Sequence, residues 1–267
     1  MTSQITHLLR YPVKGLAGQQ LAETWLEKDQ RLAGDRLYAA CHTPDTRQEE
    51  TSWRPKTAFW QVYNSPALAA LDCQFSADGT GLQLPAPEKC NKGPAVRQMD
   101  LTHTAGRQQV ARFLSSFLTS EETSEETSKT GRDNPELQII RCSEGGFTDV
   151  RKPYISIASQ ASVAQLCGAA GVAADYRRFR MNIWLDGLPA FAELDWVGKR
   201  LRLGRAELEI AETVGRCAAT HANPHTGQTD CDLVRLSGQL YGHSQLGVYA
   251  RVISAGMVRP GDQAELL

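Results

Sequence analysis

The chain has 267 residues, of which 41% are hydrophobic, and its 29 Lys and Arg residues nearly balance its 30 Asp and Glu residues. This length allows one large or two ordinary domains, and the near-zero net charge excludes a global field that would attract nucleic acid or anionic lipid. No apolar run approaches the length of a membrane span, and the first residues lack the pattern of a signal peptide. We therefore expect a cytoplasmic protein that binds neither nucleic acid nor membrane.

The cysteines are odd in number and widely spaced, and none forms a Cys-x-x-Cys pair. This spacing argues against a disulfide framework, a structural zinc site and a self-contained iron–sulfur cluster. The seven positions are Cys41, Cys73, Cys90, Cys142, Cys167, Cys217 and Cys231.

The first part of the chain predicts many short strands. A strand over residues 5–9 ends in Tyr-Pro-Val-Lys-Gly, where proline fixes the approach and Gly15 lets the backbone turn, presenting Lys14 at a tight bend. Such a lysine either holds a phosphate or is a solvated turn residue, and the local sequence favours the second. After a strand over residues 21–26, a Gly-Asp-Arg turn places Arg36 at the start of an apolar strand, as a second candidate for an anion.

A helix and an acidic segment follow. The spacing of Val110, Phe113, Leu114, Phe117 and Leu118 predicts an amphipathic helix. The doubled Ser-Glu-Glu-Thr that comes next has no apolar residue to bury, so we expect a flexible acidic linker or loop over residues 119–133. The predicted domains are therefore residues 1–118 and residues 134–267.

The second part opens with strands near residues 137–141 and 156–158. Ser159 then has the pattern of an N-cap for a helix over residues 160–169, which Gly171 ends. The amide groups at that helix start suit the polar edge of a ligand, although capping alone explains Ser159 equally well.

Three arginines within four residues precede a buried strand over residues 183–185. If this segment is extended, alternation places Arg180 and Asn182 on one face. A guanidinium beside a carboxamide suits phosphate oxygens or the donor–acceptor edge of a heterocycle, and a salt-bridged strand end is the equal alternative.

A half-buried strand over residues 206–212 is predicted to deliver Arg216 and Cys217 to the rim of a sheet. The thiolate is the nucleophile and the soft-metal ligand, and a neighbouring guanidinium favours it. The alternative is a small buried hydrophobe, which is what most free cysteines are. We assign His221, His225 and Asp230, which follow in sequence, to turn and surface roles.

The motifs, taken in order, resemble the MOSC superfamily. They are Tyr-Pro-Val-Lys, Gly-Asp-Arg, Arg-Phe-Arg-x-Asn-Ile, Arg-Cys-x-x-Thr with Asn-Pro-x-Thr-Gly, and a terminal Gly-x-Val-Arg-x-Gly-Asp. The resemblance extends to members such as the amidoxime-reducing component of mitochondria and to bacterial relatives, without their ferredoxin domain. It implies a mostly β (α+β) fold, with an N-terminal β-barrel-like domain at residues 1–118 and a MOSC β-barrel with peripheral helices at residues 134–267.

The resemblance also implies a molybdenum cofactor, a molybdopterin whose metal takes Cys217 as a ligand at the catalytic centre. It implies that the cofactor phosphate binds at one group of residues and that the pterin and its surroundings bind at another. The first group is Lys14, Gly15 and Arg36, and the second is Ser159, Arg180, Asn182, Arg216 and Thr220. Met181 and Ala219 depart from the family pattern, the first replacing a common proline and the second a threonine close to the metal.

By the same resemblance, the chain is expected to reduce N-hydroxylated compounds, such as hydroxylamines, amidoximes and N-hydroxylated base analogues. Because no cluster, flavin or nicotinamide motif is found, the electrons are expected from a separate ferredoxin, flavoprotein or cytochrome reductase. One alternative is a carrier of molybdenum cofactor or sulfur that turns nothing over, and another is a β-structured binding protein without a cofactor.

Overall fold

The computed structural model describes residues 3–42, 50–85, 96–122 and 136–267, and within these ranges the chain is mostly β with peripheral helices, as predicted. The helices are α1 Thr104–Glu122, α2 Gln160–Ala169 and α3 Leu233–Tyr241. The strands are β1 Ser3–Arg10, β2 Gln19–Gln20, β3 Thr24–Leu26, β4 Tyr38–Cys41, β5 Glu50–Thr51, β6 Gln74–Phe75, β7 Gly81–Pro85, β8 Val96–Asp100, β9 Gln138–Cys142, β10 Ile155–Ser159, β11 Ile183–Asp186, β12 Arg200–Leu203, β13 Ala206–Gly215, β14 Gln245–Ser254, β15 Gly256–Val258 and β16 Gln263–Leu266. None of the helices in these ranges is long and apolar enough to cross a membrane.

One compact unit comprises residues 1–10, 20–33 and 150–267 and contains a closed β-barrel. Its seven strands follow the order β11-β10-β14-β13-β12-β16-β1, and antiparallel pairing of β1 with β11 closes the ring. Closure removes the unpaired edges that an open sheet would expose. The interior is filled by apolar side chains that are almost fully buried, among them Ile5, Ile157, Leu185, Leu208 and Val248.

Strand β13 shows why the sequence forms this wall. Leu208 and Ile210 are buried in the barrel, whereas Glu209 between them is exposed. Side chains of successive strand residues point to opposite faces, so this period of two buries one face and solvates the other. The prediction of a half-buried strand is confirmed, and its end at Gly215 sets the position of the residues that follow.

Helix α2 begins and ends where the sequence predicted. The Ser159 hydroxyl accepts a hydrogen bond from the backbone N–H of Ala161 at 3.2 Å, which satisfies one of the unpaired amides of the first turn. Gly171, just beyond the last turn, has a φ of +69° that favours glycine. Ser159 is therefore a true N-cap.

A second compact unit comprises residues 11–19 and 34–149. It contains two three-stranded sheets, in the orders β4-β9-β5 and β6-β7-β8, and helix α1 packs against β8 and β9. The helix buries Val110, Leu114 and Leu118, as its periodicity predicted. Phe59 and Phe147 belong to the core of this second unit, and their ring centroids are 4.7 Å apart.

The compact units do not follow the contiguous division of 1–118, 119–133 and 134–267 that the sequence suggested. Residues 1–10 group with the C-terminal barrel because β1 pairs with β11 and β16. Of the predicted acidic linker, residues 119–122 are helical as the last turn of α1, and residues 123–133 lie outside the described residues. The assignment of an N-terminal family domain stays a prediction.

Candidate cofactor site

Cys217 lies two residues beyond the end of β13, at the rim of the barrel. It precedes a 3₁₀ turn, Ala218–His221, and the N–H and hydroxyl of Thr220 both donate to the Cys217 carbonyl at 3.0 Å. Thr220 is buried, whereas Cys217 is half-buried. The turn therefore fixes the backbone of a cysteine whose side chain keeps access to solvent.

The other cysteines give a contrast. Cys41, Cys73, Cys142 and Cys167 are buried, and Cys90 lies outside the described residues. Cys231 is half-buried, and burial together with a hydrogen bond to Asp230 raises the pKa of its thiol to about 12. Cys231 is thus a neutral thiol at any ordinary pH.

Arg178 fixes the loop that follows Cys217. Its side chain is 2% exposed, and its guanidinium binds Asp230 through two hydrogen bonds, Nη1–Oδ1 at 2.8 Å and Nη2–Oδ2 at 2.6 Å. The same Nη1 donates to the carbonyls of His221 at 3.3 Å and Ala222 at 3.0 Å. The hydrogen bond from Arg178 lowers the pKa of Asp230 to about 2, so the pair stays charged. The sequence showed three nearby arginines but not which one served this purpose.

Arg216 fixes the rim from the other side. Its Nε donates to the Leu246 carbonyl at 2.9 Å and its Nη1 to the Phe179 carbonyl at 2.9 Å. Its Nη2 lies 2.7 Å from the Met181 sulfur, and its guanidinium lies over the Phe179 ring at 5.6 Å. The side chain that the sequence predicted as the charge beside the thiol therefore holds residues 179–181 against the rim.

The segment before β11 is not extended, so the alternation argument for it was wrong. Tyr176–Arg178 is a 3₁₀ helix, and Arg180 has a φ of +56°, which a residue with a side chain rarely adopts. Arg180 is half-buried. Its neighbours in sequence are fixed, because Arg178 binds Asp230 and because Arg216 contacts the Phe179 carbonyl and the Met181 sulfur. Left-handed backbone at a non-glycine residue persists only where the surroundings enforce it, and such strain concentrates at functional sites.

Asn182 is 3% exposed, and its carboxamide joins three strands of the barrel. Its Oδ1 accepts from the N–H of Ser156 at 3.2 Å and from the Ser156 hydroxyl at 2.8 Å. Its Nδ2 donates to the carbonyl of Leu9 at 3.1 Å. The structure thus gives Asn182 a role in tying β1, β10 and the start of β11 together.

A buried carboxylate that the sequence did not indicate lies at the start of α2. Glu193 is fully buried and accepts from the N–H of Ser159 at 3.3 Å and from the hydroxyl of Ser162 at 2.8 and 3.0 Å. Burial raises the pKa of Glu193, because a carboxylate inside the protein loses its hydration. Ser159 therefore takes part in a network that extends beyond its helix.

In the unit of residues 11–19 and 34–149, Lys14 is 5% exposed at its side chain and pairs with Asp149 at 2.5 Å. Gly15 has a φ of +90°, and an added Cβ would lie 3.0 Å from the Gln61 Cα and 3.2 Å from the Trp60 carbonyl oxygen. Only glycine fits this turn. The bend predicted from the sequence is confirmed, but its lysine is buried and paired rather than solvated.

Arg36 also has a left-handed backbone, with a φ of +50°. Its Nη1 lies 2.5 Å from an oxygen of the buried Asp35, and its guanidinium lies over the Tyr11 ring at 4.4 Å. Asp35 in turn accepts from the backbone N–H of Tyr11 at 2.8 Å. These contacts hold the cation in one orientation.

Asp149 is surrounded by positive charge. Burial raises its pKa, but the charges of Lys14, Arg36 and Lys56 outweigh this effect and lower the pKa to about 2. Half of the Asp149 side chain is exposed. The three cations around Asp149, which we call the cation cluster, strongly favour an anion at this position. Neither Asp149 nor Lys56 was predicted from the sequence as a site residue.

No group of three or more His, Cys, Asp or Glu residues within the described ranges is arranged to hold a metal ion by itself. The site residues proposed from the sequence thus fall into two sets. One set, in the barrel unit, is Ser159, Arg180, Asn182, Arg216, Cys217 and Thr220, and the other, in the unit of residues 11–19 and 34–149, is Lys14, Gly15 and Arg36.

These observations define a class of mostly β protein that has a closed barrel and a half-buried cysteine, Cys217, on a turn at the rim of the barrel. Residues 147–265 match the family model described as the MOSC domain, and this range includes strands β10 to β16. Residues 147–265, somewhat less than half of the chain, are therefore similar to the MOSC domain, which is associated with sulfurases and reductases that use the molybdenum cofactor.

Solved structures similar to this chain include the YuaD protein of Bacillus subtilis, with 14% identity over 100% of this chain and 96% of that chain at a TM-score of 0.45. YiiM of Geobacillus stearothermophilus has 23% identity over 42% of this chain and 53% of that chain, with a TM-score of 0.34. YiiM of Escherichia coli has 19% identity over the same shares, with a TM-score of 0.32. No curated protein matches the chain. The similarity to the MOSC domain rests on the match of residues 147–265 to the family model.

Proposed function

We propose that this protein is a molybdenum-cofactor-dependent reductase of N-hydroxylated compounds, with Cys217 as the protein ligand of the metal. The observation that carries the proposal is the position of Cys217, half-buried on an ordered turn at the rim of a MOSC barrel. A soft thiolate is the ligand type that suits such a metal. The four buried cysteines do not offer one.

The residues of the barrel rim fit a bound cofactor of this kind. Cys217 supplies the thiolate, and the strained Arg180 supplies a cation held in place by its anchored neighbours. Ser159 brings the capped start of α2. Thr220 and Asn182 act through the backbone and strand geometry that they fix, and Arg216 by holding residues 179–181.

The cation cluster supports the proposed role of Lys14 and Arg36 in binding the cofactor phosphate. Three cations surround the half-exposed carboxylate of Asp149. They would attract a phosphate dianion, which would displace this carboxylate from the cations. Lys56 belongs to the same proposal, since its charge acts on the same carboxylate. At the tight turn of Gly15, the backbone rather than a side-chain hydroxyl group would contact the phosphate.

The proposed reaction breaks the N–O bond of the substrate, consumes two electrons and two protons, and releases the oxygen as water. When bound, the cofactor supplies the two-electron chemistry, and the protein binds, orients and tunes it. We propose that the electrons come from a separate ferredoxin, flavoprotein or cytochrome reductase.

Molybdenum content tests the ligand assignment. Cys217→Ser should lose bound molybdenum, measured by elemental analysis after gentle purification, because the thiolate is gone. The matched control is Cys231→Ser, which alters the other half-buried cysteine of the same unit and should keep the metal. Retention of molybdenum by Cys217→Ser would overturn the assignment.

Turnover separates a reductase from a carrier. Purified protein with its bound cofactor and a chemical reductant should convert many equivalents of an amidoxime or hydroxylamine per molybdenum. Conversion of one equivalent or none, with the metal present, would contradict the reductase and favour the carrier.

A further inference from the structure

Three half-buried rings from two segments of the barrel unit meet in one cluster. Phe191 precedes a 3₁₀ helix, Tyr241 ends α3, and His243 follows in the loop to β14. The ring centroids of Phe191 and Tyr241 are 4.7 Å apart, those of Phe191 and His243 are 6.0 Å apart, and those of Tyr241 and His243 are 6.2 Å apart. We call these residues the aromatic cluster.

The aromatic cluster is linked directly to the segment that carries Cys217. Ser244, the neighbour of His243, accepts a hydrogen bond at 2.8 Å from the backbone N–H of Arg216, the neighbour of Cys217. Helix α3, which Tyr241 ends, packs against the turn Ala218–His221. The Ser244 carbonyl and helix α3 thus join the segment that holds Tyr241 and His243 to the segment that carries Cys217.

Phe191 is held in a conformation that costs free energy. Its φ is +63°, a genuine outlier for a bulky side chain. Its N–H donates to the Ser162 hydroxyl oxygen at 2.8 Å, and that hydroxyl donates to the buried Glu193. Strain that the surrounding network enforces commonly marks a functional position, and here it places an aromatic ring in the cluster.

Two polar atoms at the edges of the aromatic cluster have hydrogen-bond partners. The His243 Nδ1 accepts from the Gln245 N–H at 3.2 Å, which in a neutral ring leaves the proton on Nε2. The Tyr241 hydroxyl oxygen accepts from Gln165 at 3.3 Å. The cluster thus combines ring faces with a few polar edges, which suits a flat conjugated molecule better than an aliphatic one.

We propose that the aromatic cluster binds the ring of the substrate, so that the protein selects N-hydroxylated compounds whose N–OH group is carried by an aromatic or heteroaromatic system. This inference rests on the proposed function, and it assigns specificity to Phe191, Tyr241 and His243. Stacking of the substrate ring would lower KM and leave the rate of N–O bond cleavage unchanged.

The test compares benzamidoxime with acetamidoxime, its aliphatic counterpart, on purified protein with its bound cofactor and a chemical reductant. Phe191→Asn removes the ring but keeps a residue that tolerates left-handed backbone, and Tyr241→Leu removes the second ring while keeping an apolar helix former. Each variant should raise the ratio of the KM for benzamidoxime to the KM for acetamidoxime roughly three- to tenfold, which is the effect expected from the loss of one aromatic contact. Trp25→Leu, at an exposed ring of the same unit, is the control and should leave the ratio unchanged.

Saturation-transfer NMR of benzamidoxime provides a readout that does not need turnover. Signals from its ring protons should weaken in both cluster variants and persist in Trp25→Leu. If Phe191→Asn fails to fold, Tyr241→Leu carries both measurements. A KM ratio that stays the same in the cluster variants, or that shifts equally in Trp25→Leu, overturns the inference.

The inference and the proposed function fail differently. If the molybdenum-loaded protein turns over neither substrate, the proposed function is wrong, and the NMR comparison then decides on the cluster alone. Ring-proton transfer that depends on Phe191 and Tyr241 would support it as an aromatic binding surface, and no transfer in the unaltered protein would overturn it.

Discussion

Asp149 and Glu193 are acids placed in opposite surroundings. Asp149, in the unit of residues 11–19 and 34–149, is half exposed and faces the cations Lys14, Arg36 and Lys56. Glu193, in the barrel unit, is fully buried and accepts only from neutral hydroxyl and amide groups. The positive charges lower the pKa of Asp149 to about 2, whereas burial raises the pKa of Glu193.

The difference shows which acid a ligand is able to replace. A half-exposed carboxylate held by cations takes the place that an external anion would take, so its removal leaves a charged site able to bind one. A buried carboxylate that satisfies hydroxyl and amide donors belongs to the framework, because its removal leaves those donors without partners. The first kind marks a candidate binding site, and the second holds one in shape.

The largest expected effect is on Glu193. Glu193→Ala should lower the free energy of unfolding by about 3 kcal/mol, because it leaves the Ser159 N–H and the Ser162 hydroxyl unpaired in the interior. Urea unfolding measures the change, with Asp149→Ala as the comparison, for which a smaller loss is expected because half of the Asp149 side chain is exposed to solvent. An equal loss in the two variants would contradict the distinction between framework and binding site.

An intermediate effect is expected for anion binding. Asp149→Asn removes the carboxylate that competes for the cation cluster, so it should bind inorganic phosphate roughly three- to tenfold more tightly than the unaltered protein. Calorimetric titration measures the two Kd values. Asp72→Asn, at an exposed acid of the same unit, controls for the change in net charge. Phosphate binding that is unchanged or weaker in Asp149→Asn would show that the cluster is not an anion site.

The smallest effect is the pH dependence of stability, in which the two acids act in opposite directions. The folded pKa of Asp149 lies below its ordinary 3.8, so its stabilisation is present above about pH 4 and is lost as the pH falls through about 2. The folded pKa of Glu193 lies above its ordinary 4.5, so the folded state keeps that proton longer and stability declines as the pH rises above about 4.5.

Substitution separates these two limbs of the pH profile. Glu193→Gln should flatten the upper limb and Asp149→Asn the lower one, and one proton gives a slope of at most about 1.4 kcal/mol per pH unit. The free energy of unfolding at a series of pH values checks this. An upper limb that is unaltered in Glu193→Gln would assign the titration to another group.

The parts of the fold set by neighbouring residues were predictable from the sequence. The cap at Ser159, the bounds of α2 and the alternation of β13 are all encoded within a few residues, and each was confirmed. The tight turn at Gly15 was predicted for the same reason.

What the sequence did not show depends on distant partners. Asp149 pairs with a lysine 135 residues away, Glu193 with a serine 31 residues away, and Asp230 with an arginine 52 residues away. No local pattern marks such an acid. Arg180 has a left-handed backbone, but no neighbouring glycine, asparagine or proline indicates it in the sequence. For this reason the sequence predicted an extended segment, and that prediction was wrong.

The closure of the barrel by β1 governs the order of events during synthesis. The Ser3 hydroxyl donates to the carbonyl of Ala264, 261 residues later, and Thr6 bonds to Trp184, 178 residues later. Strand β1 therefore completes its pairing only after the later strands β11 and β16 have been made. The segment that carries Cys217 follows β13, whose neighbours β12 and β14 lie in the same closed ring, so we expect the proposed cofactor site to form only once that ring is paired.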